Sequence, residues 1–581
     1  MSEAAVGNDQ EFDEVLDDSF EERADHVEEA VIKSGTATGD QFDEVVKHLC
    51  AKGLVLLVGP RGCGKTHLMR YAWLECLEDS SRPFCVYTSL NRYLSLEPWS
   101  RTRSDAHSLF HSWILARILF AAYETFNRIT GDQQLDNGQE LVADPEQLEK
   151  LIKNLERNFE LDSEDEELHR KLSVQAVQGA LIGLARRSRR KRAVLLLDDA
   201  ALTLTPAFMT EFLDILRVVK SPEIAPKCSI YPGTTVFGTR FHADHEGRTI
   251  SAWAAVGDPA YRSMMQTIAE RRYREGLESV TPEANTLLQY AAFGIPRAYL
   301  TLLRSVHAAK PTKTGLAAIV TKAIRAHRDN RIREFQSLGE KVVELKTLIR
   351  VGERFFDGVV TAMTARNEEL KGKNVKSTTF GIDADDFEPL TTRMVDLLAE
   401  AGLLYREEDV SHGRDRQYRR FTPHLAALIA ARAFSAGERG TSLGSIVDFI
   451  DRPNEKHPVR RKFKTIFAEQ GVDENLKLDL PPCQACQTPR DNAKQKFCQN
   501  CGNKLVDELI YTRIMAMEIN GVPGLTDFLI SKMESANIRT VGDLRSFRDP
   551  GTELRKIPNI AKARSDRILG RVEAYVDEMM S

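Results

Sequence analysis

Apolar runs and helical periods alternate along the first half of the chain. Leu54-Val55-Leu56-Leu57-Val58 and Ala193-Val194-Leu195-Leu196-Leu197 are unbroken, the pattern of strands buried on both faces of a parallel sheet. Pro83-Phe84-Cys85-Val86-Tyr87-Thr88-Ser89-Leu90 is β-rich and predicts another strand. Cys228 to Arg240 reads as a strand ending in polar residues. Between the β-rich run and Ala193 the period changes. Leu109, Phe110, Trp113, Ile114, Ile118 and Leu119 recur at helical spacing, which predicts a helical insertion over about 104–190. Residues 260–310 are helical again, broken at Phe293-Gly294-Ile295, with Pro296 opening the next helix and Arg297 facing back from its start. Long charged amphipathic helices follow over 311–380. Thr392–Ala401 then reads as a helix stopped by Gly402. After it come a strand at Tyr405-Arg406, a polar turn around His412-Gly413-Arg414 and a strand at Gln417–Phe421.

The residues after the first run set the chemistry. Gly59-Pro60-Arg61-Gly62-Cys63-Gly64-Lys65-Thr66 fits the G-x-x-x-x-G-K-[ST] pattern, between a strand and a helix that begins at His67. Glycines let such a loop curl until its backbone N–H groups converge on an anion. The new helix turns its positive end to the same point. Lys65 supplies a mobile cation for β- and γ-phosphates, and the Thr66 hydroxyl is placed to ligate Mg²⁺. Residues 59–67, His67 included, are the candidate nucleotide contacts. The run at 193–197 ends in Asp198-Asp199. Asp198 would hold Mg²⁺ and Asp199 would polarise an attacking water. The plainer alternative is a polar strand end that caps the next element.

Composition narrows the classes. At 581 residues the chain is long enough for about three or four domains. The net charge of −5 leaves nucleic-acid contacts to local patches. No run of about 18 apolar residues predicts a membrane span, and the N-terminus lacks the features of a secretory signal. Residues 1–35 read as an acidic flexible tail. Five of the nine cysteines are scattered and four are clustered, which suits a reducing cytoplasm with one metal site.

Four pieces together resemble the AAA+ and STAND class of P-loop ATPases, in particular its ORC/Cdc6-like branch. They are the loop at 59–66, Asp198-Asp199, the polar strand end at Thr239-Arg240 and Gly294-Ile295-Pro296-Arg297. The resemblance implies ATP as cofactor and catalytic roles for Lys65, Asp199 and Arg297. Thr239 or Arg240 would act as the first γ-phosphate sensor and Arg297 as the second, in a helical lid. Asp199 stands where many members carry Glu, which implies slow turnover. ORC-like ATPases also carry a winged helix after the lid, and 392–421 resembles one. In its DNA-binding form helix 392–401 would enter the major groove; in the other it packs against protein.

Cys483-x-x-Cys486 and Cys498-x-x-Cys501 have the spacing of a four-thiolate structural Zn²⁺ ribbon. Residues 520–581 resemble a helix-hairpin-helix domain like the C-terminal domain of the RNA polymerase α subunit, on Val522-Pro523-Gly524-Leu525 and Leu554–Ala563. That resemblance implies DNA phosphate contacts, with Lys556, Lys562, Arg564 and Arg567 as cations. Glycines usual to it are replaced by Asn559 and Ala561.

The expected fold is an α/β P-loop NTPase core, a parallel sheet with helices on both faces, over 36–258. It is followed by a lid (259–350), a winged-helix-like domain (351–440), a linker (441–480), a zinc ribbon (481–505) and an all-α helix-hairpin-helix domain (506–581). The expected function is an ATP-hydrolysing switch associated with DNA, in bacterial defence, replication or repair. The alternative is an oligomerising signalling scaffold that recruits a partner protein. A nuclease is excluded by the lack of a second carboxylate cluster.

Overall fold

The structure, a computed structural model, describes residues 27–99, 103–131, 142–199, 206–235, 237, 240–310, 315–411, 417–435, 442–472, 476–483, 485–490, 495, 497–503, 505, 510–547 and 549–580. Its first sheet has five strands: β1 (Leu54–Val58), β2 (Phe84–Ser89), β3 (Ala193–Asp198), β4 (Ile224–Ile230) and β5 (Gly247–Ser251). All pair in parallel in the order β2-β3-β4-β1-β5. Alternate side chains feed two cores. Leu57, Cys85, Val194 and Leu196 meet α1 (Asp40–Cys50) and α2 (Lys65–Glu78). Leu56, Phe84, Val86, Leu195 and Leu197 meet α3 (Ala106–Thr130), α4 (Val174–Arg187) and α5 (Pro206–Val219). Burial on both faces is why the strands read as unbroken apolar runs. The helical stretch after β2 is therefore the cover of one sheet face, where Phe110 stacks on Phe208 at 4.4 Å.

One strand carries a buried cation. Lys227 on β4 is inaccessible to solvent and donates to the carbonyls of Ala51 (2.8 Å) and Gly53 (2.6 Å). It thereby closes the turn that leads into β1. Desolvation pulls its ammonium down to about 8.

Beyond β5 the helices α6 (Tyr261–Arg272), α7 (Pro282–Ala292), α8 (Pro296–Ala308), α9 (Leu316–Lys341) and α10 (Lys346–Glu369) share a second core with the region after them. Trp253 stands at the joint. Its indole donates to the Phe293 carbonyl (2.7 Å), and its ring meets Phe293 and Tyr405 edge-on at 5.5 and 5.0 Å. A second sheet holds β6 (Phe380–Asp383), β7 (Leu404–Arg406), β8 (Val410–Ser411), β9 (Gln417–Pro423) and β10 (Val459–Arg460), in the order β10-β6-β9-β7 with β8 also on β9. Helix α11 (Pro389–Glu400) joins β6 to β7, and α12 (Leu425–Ala430) follows β9. The turn expected at 412–414 lies outside the described residues, as does the tail up to residue 26.

One expectation changes here and one is narrowed. The stretch 441–480, read as a linker, contains α13 (Leu443–Ile450), β10 and α14 (Phe463–Glu469). Phe463, Ile466 and Phe467 are buried, with Phe355 and Phe463 rings 5.2 Å apart. Few apolar residues among many cations hid this packing. Of the two arrangements left open for α11, the structure shows one face packed on protein. A Cβ on Gly233 would lie 2.6 Å from the Leu397 backbone, so α11 closes on the loop after β4 at a position that only glycine permits.

The C-terminal segment is all-helical and ends in α15 (Pro550–Arg555) and α16 (Lys562–Met580). Its two Pro-containing turns each use a left-handed residue, Gly524 (φ 78°) and Asn559 (φ 74°). Asparagine tolerates this conformation, so the turn forms without the glycine usual there.

Candidate nucleotide-binding site

The loop from Gly59 to Gly64 leaves the carboxyl end of β1 and enters α2 at Lys65. Gly62 (φ 81°) and Gly64 (φ 99°) take left-handed conformations that turn the chain within six residues. Ligands of open α/β sheets bind at these strand ends, where the connections diverge. A cavity of about 250 Å³ opens there. Gly62–Thr66, Asp199, Tyr231 and Arg297 are among its polar lining, and Phe42, Val45, Met264, Ile268 and Leu300 among its apolar lining.

Lys65 is buried. Its ammonium donates to the carbonyls of Gly59 (2.7 Å) and Pro60 (3.1 Å) and sits 4.0 Å from the Tyr231 ring centroid. Desolvation lowers its pKa, while Cys63, Asp199, Asp198 and Glu400 pull it upward. Thr66 lines the cavity one residue further on. His67 also lines it, and its Nε2 lies 2.7 Å from the Thr36 hydroxyl. Burial pushes this imidazole down to about 4, so it stays neutral and ties α2 to the segment before α1.

The two carboxylates take different places. Asp198 is fully buried; it accepts from the Ser229 hydroxyl (2.7 Å), the Asp199 N–H (3.0 Å) and the Tyr87 hydroxyl (3.2 Å). Asp199 lines the cavity, in a left-handed conformation (φ 53°) held by its N–H on Asp198 and on Ser229 (2.9 Å). Arg297, in the first turn of α8, comes in from the lid; its Cβ would lie 3.2 Å from a Cβ on Gly62. The structure thus brings Lys65, Thr66, Asp199 and Arg297 around one cavity, with Asp198 behind them.

Of the expected first sensor, Arg240 alone is among the described residues, and it does not line the cavity. β4 stops at Ile230, because Pro232 and Gly233 turn the chain, and Arg240 is exposed and paired with Asp214 (3.3 Å). Thr239 lies outside the described residues. The residues near the acids here are Ser229 on β4 and Tyr231 just after it, both missed in the sequence. Glu400 was missed too. It is buried at the end of α11 and accepts from the N–H groups of Gly233 (3.0 Å) and Thr234 (2.8 Å) and from the Thr234 hydroxyl (3.1 Å). Desolvation raises its pKa against the pull of Arg61. Its only sequence signal is a carboxylate three residues after Leu397 on an otherwise apolar face.

Two outlying groups complete the candidates. The four sulfurs of Cys483, Cys486, Cys498 and Cys501 lie within 4.8 Å of one another. Cys483–Cys501 is 3.4 Å and Cys486–Cys498 is 3.5 Å. Sulfurs at the corners of a tetrahedral zinc site are about 3.8 Å apart, so the donor set fits Zn²⁺. Both knuckles turn alike, with Gln487 N–H on Cys483 O (2.8 Å) and Gly502 N–H on Cys498 O (3.0 Å). The Thr488 hydroxyl brings the Cys486 thiol down to about 6. Among the expected DNA contacts, Lys556 pairs with Glu553 (2.7 Å) and Arg564 donates to the Asn559 carbonyl (2.8 Å). Lys562 and Arg567 are exposed on α16.

The sheet, the loop and the cavity define a P-loop nucleotide-triphosphatase core. No family model and no curated protein matches the sequence. Among solved structures the chain is similar to the Walker-type ATPase PABY2304 of Pyrococcus abyssi, at 14% identity and TM-score 0.37, over 68% of this chain and 96% of that one. It is also similar to the Aeropyrum pernix ORC1 protein in complex with DNA, at 14% identity and TM-score 0.30, over 69% and 95%. Alignments this loose leave the fold class resting on this chain's own sheet and loop. Among the described residues no helix is long and apolar enough to cross a membrane.

Proposed function

We propose that the chain is an ATP-binding, slowly hydrolysing switch of the AAA+/STAND type that associates with DNA through its C-terminal modules. The observation that supports it is the convergence of Lys65, Thr66, Asp199 and Arg297 on one cavity between β1 and the lid. Lys65 releases the carbonyls of its own loop and takes the phosphates. Thr66 and Asp198 hold Mg²⁺, which would neutralise the phosphate charge. Asp199 orients the attacking water. Arg297 lets the lid respond to the γ-phosphate. Among the described lining residues the sole carboxylate is Asp199. Apart from Asp199 that lining offers guanine no acidic partner, which favours ATP over GTP. The four cysteines hold a structural Zn²⁺, and the hairpin cations Lys556, Lys562, Arg564 and Arg567 contact phosphates.

A second reading, a nucleotide-controlled scaffold that oligomerises and recruits a partner protein, draws support from α11. One face of that helix packs on the loop after β4. The deciding measurement is the ATPase rate of the full chain with and without single- and double-stranded DNA. Stimulation by DNA supports the first reading. Turnover indifferent to DNA, with no salt-sensitive DNA binding, supports the second. Absence of any nucleotide binding refutes both.

A further inference from the structure

The basic run Lys456–Lys464 has no role in the site above, yet it folds into the second sheet. β10 pairs in parallel with β6, placing Arg460 opposite Gly381. β6 pairs antiparallel with β9, placing the same glycine opposite Arg420. Arg420, Gly381 and Arg460 thus form one row across three strands, on the face turned away from buried Phe380, Ile382 and Phe421. Two strand spacings, about 10 Å, separate the arginines. The glycine between them leaves a shallow trough. Tyr418, two residues from Arg420 and on the same face, packs against it; a Cβ there would meet the Tyr418 Cβ at 3.6 Å. The Tyr418 ring in turn holds the Arg460 guanidinium 4.8 Å from its centroid.

More charge continues this edge. Arg461 and Lys462 follow Arg460, and all three are exposed. No ion pair of these three is present among the described residues. Arg420 keeps its orientation through Nε on the Glu408 carbonyl (2.9 Å). Two acidic side chains share this face: Asp383, paired with Tyr418 in the ladder, and Glu407, which lies opposite Arg420 and accepts from the Thr422 hydroxyl (2.7 Å). Guanidinium groups fixed by a ring or a carbonyl lose little freedom on meeting a planar anion, and their fork matches phosphate oxygens.

We propose that this outer face, with Arg420 and Arg460 beside Tyr418 and the exposed Arg461 and Lys462 following at its edge, binds the phosphodiester backbone of nucleic acid without reading bases. It takes the place of α11, one face of which closes on the loop after β4. The proposal rests on the nucleic-acid association proposed above, and its test separates the two.

The full chain is titrated with labelled 30-nucleotide single strands and 30-base-pair duplexes over a range of salt. The combined substitution Arg420→Gln, Arg460→Gln, Lys462→Gln lowers the salt slope on duplex by about 2.7 and on single strands by about 2.1, and lowers affinity at least tenfold. ATP binding by the same variant stays as in the parent and shows that the fold is intact. Arg460→Lys, which keeps the charge, retains the slope. An unchanged slope in a triple variant whose parent does bind overturns this proposal alone. Loss of polyglutamate binding with nucleic-acid binding intact also overturns it and assigns the face to an acidic protein. A parent that binds neither probe overturns the association and this surface together.

Discussion

Glu400→Ala isolates the contact between α11 and the loop after β4. In the parent, one carboxylate accepts from two backbone N–H groups and one hydroxyl at 2.8–3.1 Å, shielded from solvent. Hydrogen bonds to a charged group contribute about 1.5–3 kcal/mol each. The sum is offset by the cost of burying the carboxylate, visible in its raised pKa. Leaving a buried donor without its acceptor costs about 1–3 kcal/mol. Taking 3 kcal/mol, the local opening that exposes the Gly233 and Thr234 amides becomes about 150-fold more frequent. Hydrogen exchange of the peptide spanning 231–235 reads this directly, and faster exchange by two decades is expected. Glu400→Gln keeps an acceptor oxygen and drops the charge, so it recovers most of the protection. The pH sign follows from the raised pKa. The carboxyl's contribution is fullest below the ordinary glutamate range and is lost as pH rises through the folded-state value. Exchange should therefore accelerate with pH in the parent, beyond its intrinsic base catalysis, and the Gln variant should lack this excess. Exchange within threefold of the parent in Glu400→Ala would refute the reasoning.

Three further outcomes follow from the site. Lys65→Ala should abolish the stabilisation that ATP gives, which in the parent amounts to about 2.7 kcal/mol at a hundredfold excess over Kd; a retained thermal shift refutes the phosphate role. Asp199→Asn should lower the hydrolysis rate by about 10² or more while ATP affinity changes less than threefold; equal loss of both would make Asp199 a binding residue. Cys498→Ser should reduce bound zinc, measured by elemental analysis of the purified chain, from one equivalent to well below half; equal content in variant and parent refutes the four-sulfur site.

What the sequence made legible follows from what buries each element. β1 and β3 were plain because both faces are covered, and the glycine loop was plain because its chemistry is local. β5 was silent: Gly247–Ser251 lies at the sheet edge and holds one large apolar residue, Ile250. β10 has two residues and is a strand through its partner β6. The end of β4 was read too far because Thr234, Thr235 and Val236 look β-prone, although Pro232-Gly233 turns the chain before them. Glu400 was out of reach because the groups that explain it, Gly233 and Thr234, are more than 160 positions away. Buried partners joined only by tertiary folding leave no periodic trace.

The joint at Trp253 has a practical consequence. The chain has four tryptophans, and Trp73 and Trp113 belong to helices packed on the first sheet. Among the described residues Trp253 is the tryptophan that touches Phe293, at the end of α7 in the lid, and Tyr405 beyond it. The change in total emission on Trp253→Phe isolates its signal as an optical gauge of whether sheet, lid and distal half remain seated together. It reports that geometry without an added label.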